Sequence, residues 1–268
     1  MRCHGKLWLQ SICDSRTAFA LESCSVLTEA RAAFVISCEH ATCHVPDPWR
    51  HLLADTALLQ SHRGWDPGAA GMADFLGQRL ETPVHHGQVT RLLADANRSA
   101  SNPNVHAPAI RALPRSDRDA IIKAWHAPHH AAVTAEVENR LTAAGQVIHL
   151  SCHSFTPVLD GKRRNADIGL LYDPRHSQEQ SLAVLWQHRL QASSRLRTRR
   201  NYPYKGCGDG MARTMRRLFG DAYLGFEVEL SQALLEYGVF PEDLLETLHD
   251  AFTDAVEALG EFSPSVPK

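Results

Sequence analysis

The sequence predicts a single α/β domain of three layers, in which helices cover both faces of a central, mostly parallel sheet. Two observations lead to this fold class. Short apolar runs that are typical of buried strands alternate with longer helical patterns from residue 33 onward, as expected for a mainly parallel sheet covered by helices. In addition, no repeat, linker or low-complexity tract divides the 268 residues. We therefore expect one domain over residues 31–268.

The individual elements follow from apolar runs and from the residues that end them. A first strand is predicted over the apolar run at 33–38. The first helix follows at 67–80, with Asp66 as its N-cap and Pro67 at the first helical position. A long helix over 116–143 is predicted to end at Gly145. The other predicted strands are 89–94, 146–151, 168–172 and 223–230, and the other predicted helices are 178–191, 209–218 and 241–259.

Features at the N-terminus and the cysteine content bear on the compartment. Residues 1–30 have no clean periodicity, and we expect an N-terminal extension that is poorly ordered or loosely docked. The seven cysteines form an odd set without close C-x-x-C pairs, which favours a reducing compartment. No apolar run reaches the roughly 18 residues of a membrane helix, and the N-terminus makes a poor secretory signal. These features predict a cytoplasmic protein with no membrane partner.

The charge balance argues against a nucleic-acid partner. The formal net charge is -2, and the proportions of hydrophobic residues (44%) and charged residues (22%) are those of an ordinary globular protein. One basic cluster has no interleaved aromatic side chains for base stacking, and we interpret it as a solvated strand or loop face. A small molecule is therefore the expected partner, and the oligomeric state stays open. The cluster consists of Arg195, Arg197, Arg199 and Arg200.

Polar residues end two of the predicted strands in a way that suits a metal site. The first strand runs into Glu39 and His40, and the strand at 146–151 runs into His153. Neutral imidazole is a directional ligand for zinc, and a catalytic zinc ion commonly takes three protein ligands. Sites in open α/β sheets lie at the carboxyl ends of strands. We take Asp66 as the third ligand, with a helix N-cap as the alternative interpretation of that residue.

Two further groups could act beside such a metal. Arg91, Asn97 and Arg98 form a donor-rich cluster that suits a carboxylate, because arginine can bind one through two parallel hydrogen bonds. A structural aspartate–arginine pair is the alternative interpretation of this cluster. Glu227 and Glu229 are two positions apart on a predicted strand and therefore share one of its faces.

Seven segments in a fixed order carry a family resemblance. They are SCEH at 37–40, HRGWDPGA at 62–69, TRLLADANRS at 90–99, LSCHSF at 150–155, RNADIG at 164–169, NYPYKG at 201–206 and FEVEL at 226–230. Together they resemble the N-formylglutamate amidohydrolases, relatives of the zinc carboxypeptidase and aspartoacylase group. The resemblance implies a zinc-carboxypeptidase-like fold with a mixed sheet. It also implies hydrolysis of the amide in an N-formyl or other small N-acyl amino acid, such as N-formylglutamate, to the free amino acid and formate.

The resemblance implies that the two strand-end histidines and Asp66 are the ligands of one zinc ion per chain. Such an ion would polarise the carbonyl and activate a water molecule. The wider group has a glutamate ligand three positions after its first histidine, whereas this chain has Cys43 there. Glu39 and His44 therefore stay open as substitutes for Asp66.

The same resemblance implies roles for the remaining candidates. Glu229 matches a general base that takes the proton of water and returns it to the leaving amine, with Glu227 as an exchangeable alternative. Arg91 would stabilise the developing oxyanion. Asn97 and Arg98 would hold the substrate carboxylate. Tyr204, or its neighbour Tyr202, lies in a loop that could close over the site.

Three other functions remain as alternatives. A cysteine amidase could use Cys152 or Cys38, although neighbouring residues of a strand point to opposite faces, so Cys152 and His153 should not form a dyad. A binding protein of the same fold could recognise a small carboxylate, but a pure binder needs no general base. A hydrolase of peptide or cell-wall amides is the third alternative, and no wall-binding repeat supports it.

Overall fold

A six-stranded sheet lies at the centre of the computed structural model, which describes residues 32–262 and the side chains of residues 32–260. The strands are β1 (Ala33–Cys38), β2 (Val84–His86), β3 (Val147–Phe155), β4 (Val158–Leu159), β5 (Lys162–Arg163), β6 (Ile168–Leu171), β7 (Thr198–Arg200) and β8 (Tyr223–Ser231). The sheet order is β2-β1-β3-β8-β6-β7, and β4 pairs with β5 in a separate hairpin. The first four strands of this order are parallel, whereas β6 and β7 run in the opposite direction. The sheet is therefore mixed and mostly parallel, as expected.

Helices cover both faces of this sheet and complete the three predicted layers. They are α1 (Thr56–Gln60), α2 (Ala69–Arg79), α3 (Pro108–Arg111), α4 (Arg115–Ile121), α5 (Ala127–Ala144), α6 (Ser177–Ser193), α7 (Met211–Phe219) and α8 (Glu242–Phe262). The larger apolar core lies between the sheet and α2, α6 and α8. A smaller core lies on the opposite face, under α5 and α7. No helix within residues 32–262 is long and apolar enough to cross a membrane.

The two faces of the central strands differ in chemistry. Alternate residues of a strand point to opposite faces. In β3, Ile148, Leu150 and Cys152 point into the larger apolar core. On the other face, Val147 packs in the smaller core, and the face becomes polar from His149 onward. The polar half of this second face leads towards the carboxyl ends of the strands, where a site is expected.

The segment predicted as a strand at 89–94 is a loop, so this prediction was wrong. The Thr90 N–H donates to the carbonyl of His44, and the Leu93 N–H donates to the carbonyl of Thr90 in a turn. Val89 and Leu93 are buried in a separate small core beneath this loop. Burial in a packed loop produces the same apolar signal as burial in a strand. The three-residue strands β2 and β7 were not predicted, because they are too short to show a pattern.

The start of α2 also differs from the prediction. The helix begins at Ala69, two residues later than expected, and Gly68 is its N-cap with φ of 81°. The side chain of Asp66 does not cap the helix, so the N-cap interpretation was wrong. Its carboxylate instead lies against His40 and His153. The direction of the Asp66 side chain is therefore determined by its contacts with residues at the ends of distant strands, and not by the local start of the helix.

The remaining elements are close to the prediction. The long helix predicted at 116–143 consists of α4 and α5 joined by a π-helical turn (Ile122–His126), and Gly145 ends it in a left-handed conformation with φ of 74°. The four arginines near β7 are exposed, as expected of a solvated face. The expectation for residues 1–30 falls outside the described residues and stays a prediction.

Candidate active site

The candidate residues meet in one cavity of about 390 Å³ at the carboxyl ends of β1, β3 and β8. All eight candidates selected from the sequence line it, namely His40, Asp66, Arg91, Asn97, Arg98, His153, Tyr204 and Glu229. The other lining residues are His62, Ser154, Phe155, Thr156, Lys205, Gly208, Asp209 and Glu227. Residues from segments spread over most of the domain therefore share one space.

Three of these residues form a cluster that suits a metal ion. Asp66 Oδ2 lies 3.1 Å from His40 Nδ1 and 2.9 Å from His153 Nδ1. One ligand atom from each of the three residues lies within 4.8 Å of the others, and the described part of the chain contains no second cluster of this kind. All three side chains are buried. Two imidazole nitrogens and one carboxylate oxygen form a donor set that zinc accepts.

Each histidine of the cluster is held from behind by a second carboxylate. His40 Nε2 lies 2.8 Å from Asp95 Oδ1, and His153 Nε2 lies 3.1 Å from Glu39 Oε2. A histidine that donates its Nε2 proton to a carboxylate presents the lone pair of Nδ1 to a metal. Glu39 therefore stands behind a ligand, and we do not assign it as a ligand itself.

The two other substitutes considered from the sequence do not reach the site. His44 is exposed, and neither His44 nor Cys43 lines the cavity. The carboxylate that contacts both histidines, each through Nδ1, is that of Asp66. Burial raises the pKa of the Asp66 carboxyl, but the neighbouring His40 and Arg91 and the hydrogen bond to His153 outweigh burial and hold it well below its ordinary value. Asp66 is therefore an anionic donor.

A tight turn before α2 places Asp66 and Arg91 together. The Asp66 N–H donates to the carbonyl of His40, which ties the turn to the end of β1. Gly64 allows a close approach, because a Cβ at that position would lie 2.0 Å from the carbonyl oxygen of Leu59. The carbonyl of Gly64 in turn accepts the N–H of Arg91. The segment HRGWDPGA thus joins two loops that carry site residues.

Glu227 and Glu229 share one face of β8, as expected, but their surroundings differ. Glu227 Oε2 accepts a hydrogen bond from Asn97 Nδ2 at 3.3 Å. Glu229 Oε2 is buried and has no hydrogen-bond partner among residues 32–260. Burial, together with the negative charges of Asp66 and Glu227, raises the pKa of Glu229 to about 7 against the opposing effect of His153. The free carboxylate oxygen beside the cluster is that of Glu229.

The two arginines make different use of their guanidinium groups. Arg91 bridges Asp66 Oδ1 at 3.4 Å and Asp95 Oδ2 at 3.2 Å through its two terminal nitrogens. Arg98 contacts Asp95 Oδ2 through Nε alone, at 3.0 Å. Within the described residues, the terminal nitrogens of Arg98 form no hydrogen bond, and the side chain lines the cavity. The structural aspartate–arginine pair thus exists, and it leaves the outer edge of Arg98 available for a carboxylate.

Asn97 connects three parts of the site. Its Oδ1 accepts the N–H of Met211 at the start of α7, at 2.9 Å. This bond orients the amide so that Nδ2 points to Glu227 Oε2 and lies 3.2 Å from His153 Nε2. One amide hydrogen is therefore used in the bond to Glu227. Asn97 links the loop after residue 95 to β8 and to the start of α7.

Tyr204 is held at the cavity wall by a buried arginine. Arg164 donates to the Tyr204 hydroxyl at 2.9 Å and to the carbonyl of Thr156 at 3.3 Å, and its guanidinium stacks 4.8 Å from the centre of the Tyr204 ring. The Tyr202 hydroxyl instead accepts the N–H of Asn165, and Tyr202 does not line the cavity. Of the two tyrosines considered from the sequence, Tyr204 is the one placed to contact a ligand.

Four polar residues at or behind the cavity could not be assigned from the sequence. His62, Lys205 and Asp209 line the cavity, and Arg164 lies behind Tyr204. Asp209 accepts hydrogen bonds from the backbone N–H and hydroxyl of Ser99 and so joins two loops. His62, Arg164 and Lys205 fall inside the segments 62–69, 164–169 and 201–206. Membership of those segments was the only signal available for them.

The cysteines considered as nucleophiles point away from the cavity. Cys38 and Cys152 are fully buried in the apolar core under α2, α6 and α8. Burial raises the pKa of both thiols well above the ordinary value, which opposes formation of the reactive thiolate. Because His153 is on the opposite face of β3, no cysteine–histidine dyad forms with Cys152.

Comparison with known proteins identifies relatives of this chain. Residues 32–236 match the family model described as N-formylglutamate amidohydrolase. A gene product from Agrobacterium tumefaciens has a similar structure, with 26% identity and a TM-score of 0.72 over 86% of this chain and 92% of that chain. An N-formylglutamate amidohydrolase from Ralstonia eutropha JMP134 shares the fold, with 18% identity and a TM-score of 0.62 over 86% and 94% of the two chains. Among curated proteins, none has a sequence that matches the chain.

Proposed function

Because this chain belongs to the N-formylglutamate amidohydrolase family, we propose that it is a zinc-dependent enzyme that cleaves the amide of an N-formyl or other small N-acyl amino acid. N-formylglutamate is the proposed example, and its products are glutamate and formate. One observation carries the proposal: the unpartnered carboxylate oxygen of Glu229, the cluster of His40, Asp66 and His153, and Arg98 all line one cavity.

The three clustered residues would hold one divalent ion per chain. The donor set fits zinc in residue type, and each histidine already has the carboxylate partner behind it that metal-binding histidines commonly have. When bound, zinc would polarise the scissile carbonyl and lower the pKa of an attacking water molecule. Asp66 also accepts a hydrogen bond from Arg91, whose positive charge partly neutralises the carboxylate.

Glu229 is the proposed general base. Its unpartnered oxygen accepts one proton from water as the oxygen of that water bonds to the acyl carbon. The same proton then goes to the amide nitrogen as the carbon–nitrogen bond breaks, so that a carboxylic acid and a free amine form. A carboxyl group with a pKa near 7 can both accept and return this proton.

We assign the two arginines and the tyrosine to different parts of the substrate. We assign Arg91, which is fixed between two aspartates, to the oxygen of the reacting carbonyl. Arg98, with its terminal nitrogens free, would bind the carboxylate of the amino-acid half, assisted by the remaining amide hydrogen of Asn97. Tyr204, whose hydroxyl Arg164 orients, would also contact the substrate.

This division predicts different kinetic effects for the two arginines. Arg98→Lys should raise KM on the order of tenfold with little change in kcat, because a lysine cannot form the bidentate contact made equally in the ground and transition states. Arg91→Lys should chiefly lower kcat. Steady-state kinetics of both variants at matched metal content would measure the two effects. If both variants change only KM, the assignment of Arg91 to the reacting carbonyl is wrong.

A change in the substrate tests the same contact from the other side. Converting the free carboxylate of the substrate into an amide should reproduce the Arg98→Lys effect in the wild-type enzyme and cost that variant little more. The comparison requires the acid and the amide of one N-acyl amino acid with both enzymes. Equal hydrolysis of the acid and the amide by the wild type would contradict a carboxylate-binding site.

Turnover of a substrate panel is the direct test of the proposed function. Metal-quantified protein would be assayed with N-formyl, N-acetyl and N-carbamoyl amino acids, and with a short peptide as the control for peptidase activity. We expect the highest kcat/KM for an N-formyl amino acid. Turnover of the peptide alone would favour the peptide or cell-wall alternative, and turnover by protein stripped of metal would contradict the zinc mechanism.

A further inference from the structure

Behind the proposed metal cluster, three neighbouring strands carry a row of buried polar side chains. Ser37 lies on β1, His149 and Ser151 on β3, and Tyr223 on β8, and each of these side chains is fully buried. Burying polar groups without partners costs free energy. Here each polar atom has a neighbour within hydrogen-bond distance, and the row runs from the middle of the sheet to Glu39 at the site. The proposed chemistry uses none of these four residues.

The hydrogen bonds of this row have one possible direction. A carboxylate only accepts, so the Ser37 hydroxyl donates to Glu39 Oε1. The Ser37 oxygen must then accept from His149 Nε2, 2.7 Å away. Burial lowers the pKa of His149 to about 4, so its ring is neutral and its other nitrogen accepts. Burial also raises the pKa of Tyr223 well above its ordinary value, and the Tyr223 hydroxyl donates to His149 Nδ1 at 2.6 Å.

At the end nearest the cavity, the row of polar side chains reaches His153 of the proposed metal cluster through Glu39. Glu39 Oε2 accepts from the Ser151 hydroxyl and lies 3.1 Å from His153 Nε2. The amide nitrogen of Asn97, 3.2 Å from the same His153 nitrogen, is a competing donor that would favour an unprotonated Nε2. Two acceptors oppose this donor: Glu39 Oε2, and Ser151 Oγ 2.9 Å from His153 Nε2, which can accept because its own proton goes to Glu39. His129 Nε2 lies 3.6 Å from Glu39 Oε1, too far for a hydrogen bond.

We propose that Glu39 is a positioning residue that keeps a proton on His153 Nε2, and that the chain from Tyr223 through His149 and Ser37 orients its carboxylate for this purpose. With zinc bound, His153 would then present the Nδ1 lone pair to the ion; Nδ1 lies 2.9 Å from Asp66 Oδ2, the third proposed ligand atom. The inference rests on the proposed metal site. It extends that site along one face of the sheet to Tyr223, which does not line the cavity. Four residues of three strands, together with Glu39 directly after β1, thus act on one ligand nitrogen.

Zinc affinity tests the inference without an activity assay. Affinity would be measured by competition with a chromogenic chelator for the wild type, Glu39→Gln, Ser37→Ala and Tyr223→Phe. Glu39→Gln should weaken zinc binding about 10–100-fold, as loss of a partner behind a metal-binding histidine typically does. Ser37→Ala and Tyr223→Phe should weaken it less. The matched control is Ser231→Ala, which removes another buried strand hydroxyl and should leave affinity unchanged. Among residues 32–260, the one hydrogen bond of this hydroxyl is from the N–H of Ala233.

A double-variant comparison separates positioning from a structural role. If Tyr223 acts through Glu39, Tyr223→Phe should have no further effect on zinc affinity in the Glu39→Gln background. A merely structural contribution would lower affinity or thermal stability equally in both backgrounds. Wild-type affinity in a folded Glu39→Gln variant would overturn the inference, whereas a wild-type protein that binds no zinc would contradict the proposed function instead.

The protonation of the ring supplies a second readout, which does not require zinc. Nitrogen-edited NMR of the histidine rings, with the His153 signals assigned by comparison with His153→Ala, shows which ring nitrogen carries a proton. We expect a proton on His153 Nε2 in the wild type with and without zinc, and faster exchange of that proton in Glu39→Gln. An unprotonated Nε2 in the wild type would overturn the inference even if no ion binds.

Discussion

His153→Ala is expected to lose both the bound metal ion and the activity. The substitution removes one of the two imidazole ligands and leaves Glu39 facing a space without a donor. Two remaining protein ligands hold zinc much less tightly than three, so the ion content should fall from about one per chain to near zero. Elemental analysis of the purified variant and kcat/KM with the preferred N-acyl amino acid would measure the two losses together.

The matched control is His44→Ala, because His44 is an exposed histidine close in sequence to the cluster and outside the cavity. It should retain the ion and the activity. Chelation of the wild-type protein should abolish turnover, and zinc should restore it. Full activity after complete removal of metal would contradict the mechanism, including the roles assigned to His40 and Asp66.

Glu229→Gln should keep the metal and lower turnover by roughly 10²–10⁴-fold. Glutamine has nearly the same shape as glutamate but cannot accept a proton. Because Glu229 Oε2 has no hydrogen-bond partner among the described residues, the substitution removes the proton acceptor without breaking a contact that holds the fold. The measurement is kcat at saturating substrate, with metal content and thermal unfolding determined on the same sample.

Glu227→Gln distinguishes the two carboxylates of β8. Glu227 accepts from Asn97, so its loss should disturb the position of that amide and have a smaller effect on kcat than the loss of Glu229. Both variants remove one charge from the same buried face, which makes the pair a close control. A larger loss of kcat in Glu227→Gln would reverse the assignment of the general base.

The strands that carry the site could be predicted because they are buried on both faces. In β3 and β8 the residues facing the larger core are apolar except for Ser154 near the end of β3, and the other polar residues occur on the alternate positions. This period of two is a local property of an extended chain. It placed His153 on the face opposite to Cys152, and it placed Glu227 and Glu229 side by side, before any partner was known.

The loops that carry the site could not be predicted in the same way. Asp66 precedes a proline and a glycine at the start of a helix, and this local sequence suits a helix cap as well as a ligand. The apolar residues at 89–94 suit a strand as well as a loop packed over a small core. In both segments, the direction of a side chain depends on contacts with residues far away in the chain.

By itself, the sequence determined the alternation of strands and helices, the faces of the central strands and the set of residue types able to bind a metal and a carboxylate. Only the tertiary structure decided which of them meet: Asp66 with both histidines, Asp95 with His40, and Glu39 with His153. The physical reason is the range of the interactions. Backbone periodicity is set by neighbouring residues, whereas these pairs form after parallel strands separated by long crossover connections have come into register.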